Sequence, residues 1–119
     1  MIVIEALDHI NIAAKDLEKS IEFYTVFLDF ECVESNENEA TITFDEQLKI
    51  KLVKSETAST NPEYPALSFI LDIDDFTEGL QVLETNEIAI LSGPIETENG
   101  ENVIISDPAG NAIELYYVE

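Results

Sequence analysis

The stretch Asn102-Val-Ile-Ile-Ser-Asp-Pro-Ala-Gly-Asn-Ala-Ile-Glu-Leu-Tyr-Tyr-Val118 decides the fold of this chain. In it, two apolar runs rich in β-branched residues flank residues 107–111, a turn sequence with a proline that fixes φ and a glycine that tolerates positive φ. The pattern predicts a hairpin of two strands. Glu114 stands inside the second strand between two apolar residues, and a carboxylate there needs a partner, solvent or a metal ion.

The composition predicts one soluble globular domain. A chain of 119 residues with 45% apolar residues is long enough to bury a core and too apolar to be disordered. The first residues are too short an apolar run for a signal peptide or a membrane span. The single cysteine, Cys32, permits no intrachain disulfide. Together these features predict a cytoplasmic protein.

The charge is strongly one-sided, with 26 acidic residues against five lysines and a formal net charge of −21. Nucleic acid and anionic membrane surfaces are recognised by basic patches, so both are excluded as partners. The first interpretation of this charge is a solvated acidic surface that keeps the protein soluble. The functional interpretation is that its field favours neutral or cationic small molecules over anionic ones. We therefore expect a neutral or cationic small-molecule ligand.

The first half of the chain has the pattern strand, helix and three strands. Residues 7–13 alternate as a strand does, and Asp16 is placed to cap an amphipathic helix. Further strands are predicted at the positions 30–33, 41–44 and 49–53.

The second half repeats this pattern. A strand at residues 66–73 precedes Asp75, which is placed to cap a helix, and a short strand at 88–91 and a turn at Gly93-Pro94 lead into the hairpin. A shift of the first half by about 60 residues superposes the apolar positions of the two helices. We predict a single domain, 1–119, built from βαβββ modules 1–55 and 66–119 with the linker 56–65.

Three motifs resemble those of the glyoxalase/bleomycin resistance/extradiol dioxygenase superfamily, also called vicinal oxygen chelate. They are Leu-Asp-His-Ile-Asn-Ile at 7–12, Phe-Tyr-Thr-Val-Phe-Leu-Asp-Phe at 23–30 and Asp-Pro-Ala-Gly-Asn-Ala-Ile-Glu-Leu at 107–115. The resemblance implies an α+β fold in which two βαβββ modules form a cupped, eight-stranded half-barrel, often as part of a homodimer. Asp29 replaces the family's usual glycine at a helix end, and aspartate tolerates that left-handed geometry better than most residues.

The resemblance also places the family's metal ligands at His9, Lys51, Ser68 and Glu114. A protonated lysine has no lone pair to offer, and a serine hydroxyl is a poor ligand for a divalent ion. Of the four positions, His9 and Glu114 remain as possible metal ligands, and two ligands are an incomplete set for a catalytic metal site. We therefore expect no metal cofactor, with one divalent ion (Zn, Ni, Fe or Mn) as the alternative.

In place of a metal, Lys51 is expected to pair with Glu114, because the repeat makes the two positions equivalent. For His9, a hydrogen-bonded wall residue and a residue that orients a ligand or acts as general base are both open. No catalytic residue is assigned. The candidate ligand-binding residues on the floor of the cup are His9, Asn11, Lys51, Ser68, Glu114 and Tyr116.

These residues predict a protein that binds a small molecule in the cup of a homodimer, in the manner of bleomycin resistance proteins. The alternative is a metal-dependent lyase resembling lactoylglutathione lyase, or a dioxygenase, that uses His9 and Glu114. The absence of arginine argues against an anionic glutathione substrate, and a dioxygenase site needs a second histidine. A structural or regulatory member without a ligand is a third reading. Whether the protein is an enzyme stays open at this point; if so, it is a glyoxalase-like lyase or isomerase, or a dioxygenase.

Overall fold

The computed structural model describes residues 1–57 and 61–118, which belong to two compact units, Met1–Thr57 and Ala58–Glu119. We refer to them as unit 1 and unit 2. Residues 58–60 of the predicted linker and residue 119 of the predicted second module lie outside the described residues.

Unit 1 has one helical segment and a four-stranded sheet. Its elements are β1 (Ile10–Ala14), α1 (Leu17–Glu22) with a π-helical continuation (Phe23–Phe27), β2 (Glu31–Ser35), β3 (Glu39–Thr43) and β4 (Lys49–Lys54). The strand order is β1-β4-β3-β2, and β1 runs parallel to β4 while the other neighbours are antiparallel.

Local sequence signals set both ends of the helical segment in unit 1. The Asp16 side chain accepts a hydrogen bond from the Lys19 amide at 3.2 Å, which confirms it as the N-cap. At the other end Asp29 adopts a φ of 62°, and the Phe30 amide donates to the Tyr24 carbonyl at 2.9 Å. A residue in the left-handed region together with a hydrogen bond that spans six residues is a common way for a helix to end. Asp29 therefore adopts the left-handed geometry that the family's glycine usually provides.

One face of the unit 1 sheet forms the core with α1. Tyr24 is fully buried, and alternate sheet residues are buried with it, namely Ile12, Ala14, Ala40, Ile42, Ile50 and Leu52. Because side chains alternate across a strand, the intervening residues Asn11, Thr41 and Lys51 lie on the opposite face. We call this opposite face the open face of unit 1.

Unit 2 repeats the arrangement with one uninterrupted α-helix. Its elements are β5 (Leu67–Ile70), α2 (Phe76–Thr85), β6 (Ile90–Thr97), β7 (Gly100–Ser106) and β8 (Ala112–Val118). The strand order is β5-β8-β7-β6, with β5 parallel to β8. The Asp75 side chain accepts from the Thr77 amide at 2.8 Å and caps α2 as predicted. Phe76 at the start of α2 stacks on Tyr117 of β8 at a centroid distance of 6.0 Å.

The closing hairpin is held by the buried side chain of Asp107. Its Oδ1 accepts hydrogen bonds from the amides of Ala109 (3.0 Å) and Asn111 (2.8 Å), and its Oδ2 accepts from Asn111 Nδ2 at 2.8 Å. Gly110 adopts a φ of 94°, which a side chain would strain. The predicted strand-turn-strand is confirmed.

Several predicted boundaries and one predicted turn are wrong, and the short strand predicted at 88–91 is in fact the longer β6 at Ile90–Thr97. The first strand begins at Ile10 rather than at residue 7, and the strand predicted at 66–73 ends at Ile70, before a run of alternating acids and apolar residues that has no strand neighbour. Gly93-Pro94 is not a turn but lies within β6, where the register with β7 shifts between Ser92 and Ile95. Glycine and proline are tolerated at such bulges on edge strands.

The fold class is confirmed as α+β, with a four-stranded sheet and a helix in each of the two βαβββ units. Among the described residues, no helix has the length and apolar character needed to cross a membrane.

Candidate functional site

Glu114 lies near the middle of the sheet face of unit 2 that is turned away from α2. We call this face the open face of unit 2 and define it by Ser68, Ile70, Asn102, Ile104, Glu114 and Tyr116. Glu114 on β8 has Ser68 beside it on β5 and Ile104 beside it on β7. Its side chain is half-buried although the strand around it is apolar.

Both carboxylate oxygens of Glu114 accept hydrogen bonds from neutral groups of the same unit. Ser68 Oγ donates to Oε1 at 2.8 Å, and Asn102 Nδ2 donates to Oε2 at 2.7 Å. Bonds from neutral donors to a carboxylate are charge-assisted and strong. They fix the orientation of the carboxylate on the sheet. They also offset part of the desolvation cost of a half-buried acid.

Asn102 is the site residue that sequence reasoning missed. The signal was present, because the turn pairs Ser106 with Ala112, and counting outward pairs Ile104 with Glu114. Asn102 is then the next residue of β7 on the same face as Glu114, within reach as a diagonal neighbour. Its Oδ1 atom is buried and has no hydrogen-bond partner among the described residues.

Tyr116 follows Glu114 by two residues on β8, and it is half-buried on the same face. Across the sheet it is aligned with Ile70 of β5 and Asn102 of β7. Ile70 is 76% exposed, so the carboxylate is bordered by an apolar and aromatic surface that solvent reaches.

The open face of unit 1 brings together Asn11 and Lys51, which are register partners on β1 and β4. Lys51 Nζ lies 3.7 Å from Glu39 Oε1, and both side chains are substantially exposed. A pair of this length and exposure contributes little to stability. The predicted pairing of Lys51 with Glu114 joins the two units and stays a prediction.

His9 immediately precedes β1, and its side chain is 26% exposed. Its Nδ1 lies 2.7 Å from Asp8 Oδ2. The hydrogen bond from His9 is the largest cause that lowers the pKa of the Asp8 carboxyl, and the charges of His9, Lys49 and Lys51 add to it. The histidine therefore has a carboxylate partner in unit 1, while its role toward a ligand stays a prediction.

The donor set in unit 2 does not fit a metal ion. The oxygens of Glu114 face hydrogen-bond donors, and the two side chains that reach it, a serine and an asparagine, are weak ligands for transition metals. Among residues 1–57 and 61–118, no three His, Cys, Asp or Glu side chains group closely enough to hold an ion.

Two clefts within unit 1 have volumes of 640 and 570 Å³. The first lies beside the start of α1 and the second lies beside the turn between β3 and β4. None of the predicted site residues lines either cleft. The candidate site is thus an open sheet face rather than one of these clefts.

Comparison with known proteins matches the sequence family model of the Glyoxalase/Bleomycin resistance protein/Dioxygenase superfamily over residues 6–115. The chain is 29% identical to the metallothiol transferase FosB of Staphylococcus epidermidis, over 95% of this chain and 82% of that protein. It is 30% identical to the virulence protein STM3117 of Salmonella typhimurium, over 95% and 84% of the two chains.

Among solved structures, the fosfomycin resistance protein FosX of Listeria monocytogenes has the same fold. The TM-score is 0.80 at 17% identity, and the match covers 98% of this chain and 96% of that chain. The family model spans nearly the whole sequence, including the hairpin that carries Glu114. The chain therefore belongs to the glyoxalase/bleomycin resistance protein/dioxygenase superfamily.

Proposed function

We propose that this protein binds a small neutral or cationic molecule in the cup of a homodimer, and that binding does not depend on a complete catalytic metal site. The observation that carries the proposal is the half-buried carboxylate of Glu114, held by Ser68 and Asn102 on an open face. A fixed polar group surrounded by apolar side chains is the usual composition of a small-molecule site.

The charge distribution supports this class of ligand. Residues 58–119 contain half of the 26 acidic residues but no lysine, arginine or histidine. An anionic ligand on this unit would meet repulsion without a counter-charge from the same unit, whereas a neutral or cationic ligand would not.

The homodimer is supported by exposed apolar side chains at the edge of the unit 2 sheet. Ile95 of the edge strand β6 is 51% exposed, and Ile90 of the same strand is 44% exposed. A twofold partner would cover both the apolar residues and the unpaired edge. Light scattering should give the mass of two chains, and a monomer at working concentration would contradict this part of the proposal.

The binding function is tested by a thermal-shift screen on protein treated with a chelator. Neutral and cationic aromatic compounds should raise the melting temperature, and anionic thiol conjugates should not, because only a ligand that binds the folded state stabilises it. A ranking in which anionic conjugates stabilise the protein most would refute the proposal.

We propose a cytoplasmic location for this function, because a chain with a single cysteine has no intrachain disulfide and suits a reducing compartment.

A metal-dependent enzyme that uses His9 and Glu114 is the second candidate, and the similarity to a metallothiol transferase favours it. Elemental analysis of the purified protein distinguishes the two. Stoichiometric Zn, Ni, Fe or Mn that is lost in both His9→Ala and Glu114→Gln would replace the first proposal with this one. The matched control is Asp45→Asn, which changes an acid in the β3–β4 turn.

A further inference from the structure

We propose that the open face of unit 2 selects ligands that carry a protonated primary or secondary amine, with Glu114 as the anchor that Ser68 and Asn102 hold in place. This inference rests on the proposed binding function and names the chemical class of the ligand. The juxtaposition that carries it is Glu114, Ser68 and Asn102 on one sheet face beside Ile70 and Tyr116.

Two hydrogen bonds fix the orientation of the Glu114 carboxylate. Ser68 Oγ occupies one site on Oε1 at 2.8 Å, and Asn102 Nδ2 occupies one site on Oε2 at 2.7 Å. A carboxylate offers about four acceptor sites in all, so each oxygen keeps capacity for one more donor. The group is pre-oriented for binding, and less rotational freedom is lost when a ligand arrives.

Unit 2 has no positively charged side chain to pair with Glu114, because residues 58–119 contain no basic residue. Within the described residues of unit 2, the donors to this half-buried carboxylate are the neutral groups of Ser68 and Asn102. A ligand that brings positive charge and N–H groups together therefore gains most from it.

Asn102 acts on the ligand through Glu114. Its Oδ1 is shielded from solvent and is not offered to a ligand, while Nδ2 of the same planar amide donates to Glu114 and holds the carboxylate in place. An ammonium group has several N–H donors for the remaining acceptor positions on the two oxygens of Glu114, whereas a quaternary ammonium group has none.

The surroundings define the rest of the ligand. Ile70 is 76% exposed, and Ile104 and Tyr116 are half-buried beside the carboxylate. Such a surface fits a flat apolar or aromatic body attached to the amine. The class of ligand is therefore an arylalkylamine or a larger molecule that contains one.

The experiment uses three probes of one shape on the full chain: 2-phenylethylamine, its N,N,N-trimethyl analogue and neutral 2-phenylethanol. Binding is followed through amide shifts in ¹H–¹⁵N NMR spectra at Ser68, Asn102 and Glu114. The amine should bind about tenfold more tightly than either analogue, since it alone combines the charge with N–H donors.

Two variants locate the effect. Glu114→Gln keeps the shape of the side chain and should weaken amine binding about tenfold or more while leaving phenylethanol binding unchanged. Asn102→Ala should weaken amine binding less, and it gives a second readout if the first variant fails to fold. Glu101→Gln is the matched control, because it removes one acid from the opposite face of the same sheet and should change nothing.

The results separate the inference from the function on which it rests. If the alcohol and the trimethyl analogue bind as tightly as the amine and Glu114→Gln has no effect, the amine inference is overturned and small-molecule binding stands. If amine binding shifts amides only elsewhere in the chain, the inference is also overturned. If neither these probes nor the neutral and cationic compounds of the thermal-shift screen bind, both are overturned.

Discussion

Asp107 holds the closing hairpin through the amides of Ala109 and Asn111 and the side-chain nitrogen of Asn111. Asp107→Asn would replace one acceptor oxygen with an NH₂ group, which cannot accept a hydrogen bond from these donors. It would also remove the negative charge that strengthens the remaining bonds. We expect a loss of about 2–4 kcal/mol in the free energy of unfolding, because buried donors would lose their acceptor. Urea unfolding followed by circular dichroism measures it.

The matched control for that substitution is Asp45→Asn. Asp45 Oδ1 also accepts from two amides, those of Gln47 and Leu48 at 2.9 Å, but the turn is exposed to solvent. An asparagine oxygen can replace it there, so we expect a change within about 0.5 kcal/mol. Equal losses in the two variants would show that burial of Asp107 is not the cause.

The carboxyl group of Asp8 gives a prediction about pH. Its pKa lies below the ordinary value of 3.8, first because of the hydrogen bond from His9 and then because of nearby positive charge. A lowered pKa in the folded state contributes stability that is present above the ordinary value and is lost as the pH falls through the folded-state value. His9→Ala should therefore raise the pKa of Asp8 toward 3.8, as measured by an NMR titration of the side-chain carbon.

Lys49→Gln is the comparison for the Asp8 titration. Lys49 lowers the pKa of Asp8 only through its charge, and it follows both contributions of His9 in size. Its replacement should raise the pKa of Asp8 less than His9→Ala does. A larger rise in Lys49→Gln would contradict the assignment of the hydrogen bond as the main cause.

At the scale of single residues, the sequence predicted the interactions whose two partners lie close together along the chain. Asp16 and Asp75 cap their helices because the amides they accept from lie two or three residues away. The partners of Glu114 lie 46 and 12 residues away, in Ser68 and Asn102. The family resemblance predicted Ser68 as a site residue. Asn102 was missed, because its position beside Glu114 follows only when the strand pairing is counted outward from the hairpin turn.

At the scale of elements, the helical segment of unit 1 ends at Phe27 and is stopped by Asp29 two residues later, whose φ of 62° is unfavourable for a residue with a side chain. Asp29→Gly should stabilise the protein by about 0.5–1 kcal/mol, because glycine adopts this conformation without steric cost. Asp29→Ala should destabilise it by a similar amount, since alanine has the steric cost without a polar side chain that can bond locally. Urea unfolding of the two variants should move the midpoint in opposite directions, and a loss of stability with glycine would contradict this account.

Strand existence was predicted better than strand ends. Alternation in the sequence marks which residues are suited to a strand, but a strand ends where its backbone pairing with a neighbour stops. Residues 71–73 have apolar character at alternate positions, yet β5 ends at Ile70, and beyond it the amide of Leu71 makes one last bond to Tyr116. In β6 the glycine and proline that indicate a turn lie instead at a register shift, which only the pairing with β7 reveals.

At the scale of the whole molecule, the net charge of −21 is divided unequally between the units. The acidic residues are shared evenly between residues 1–57 and 58–119, but all five lysines lie in the first range. Unit 2 therefore contains acidic side chains without any internal neutralisation. Repulsion among like charges opposes the folded state and is screened by salt.

We expect added sodium chloride to raise the stability of the protein, and to raise it more in unit 2 than in unit 1. Hydrogen exchange distinguishes the units, because the buried amides of Val103 and Ile105 report on unit 2 and those of Ile42 and Leu52 report on unit 1. Protection should increase with salt at all four amides and most at the first two. The variant Glu96→Gln/Glu98→Gln, which removes two exposed charges from unit 2, should show a smaller gain there. Protection that does not depend on salt would mean that the acidic residues are already far enough apart to be solvated independently.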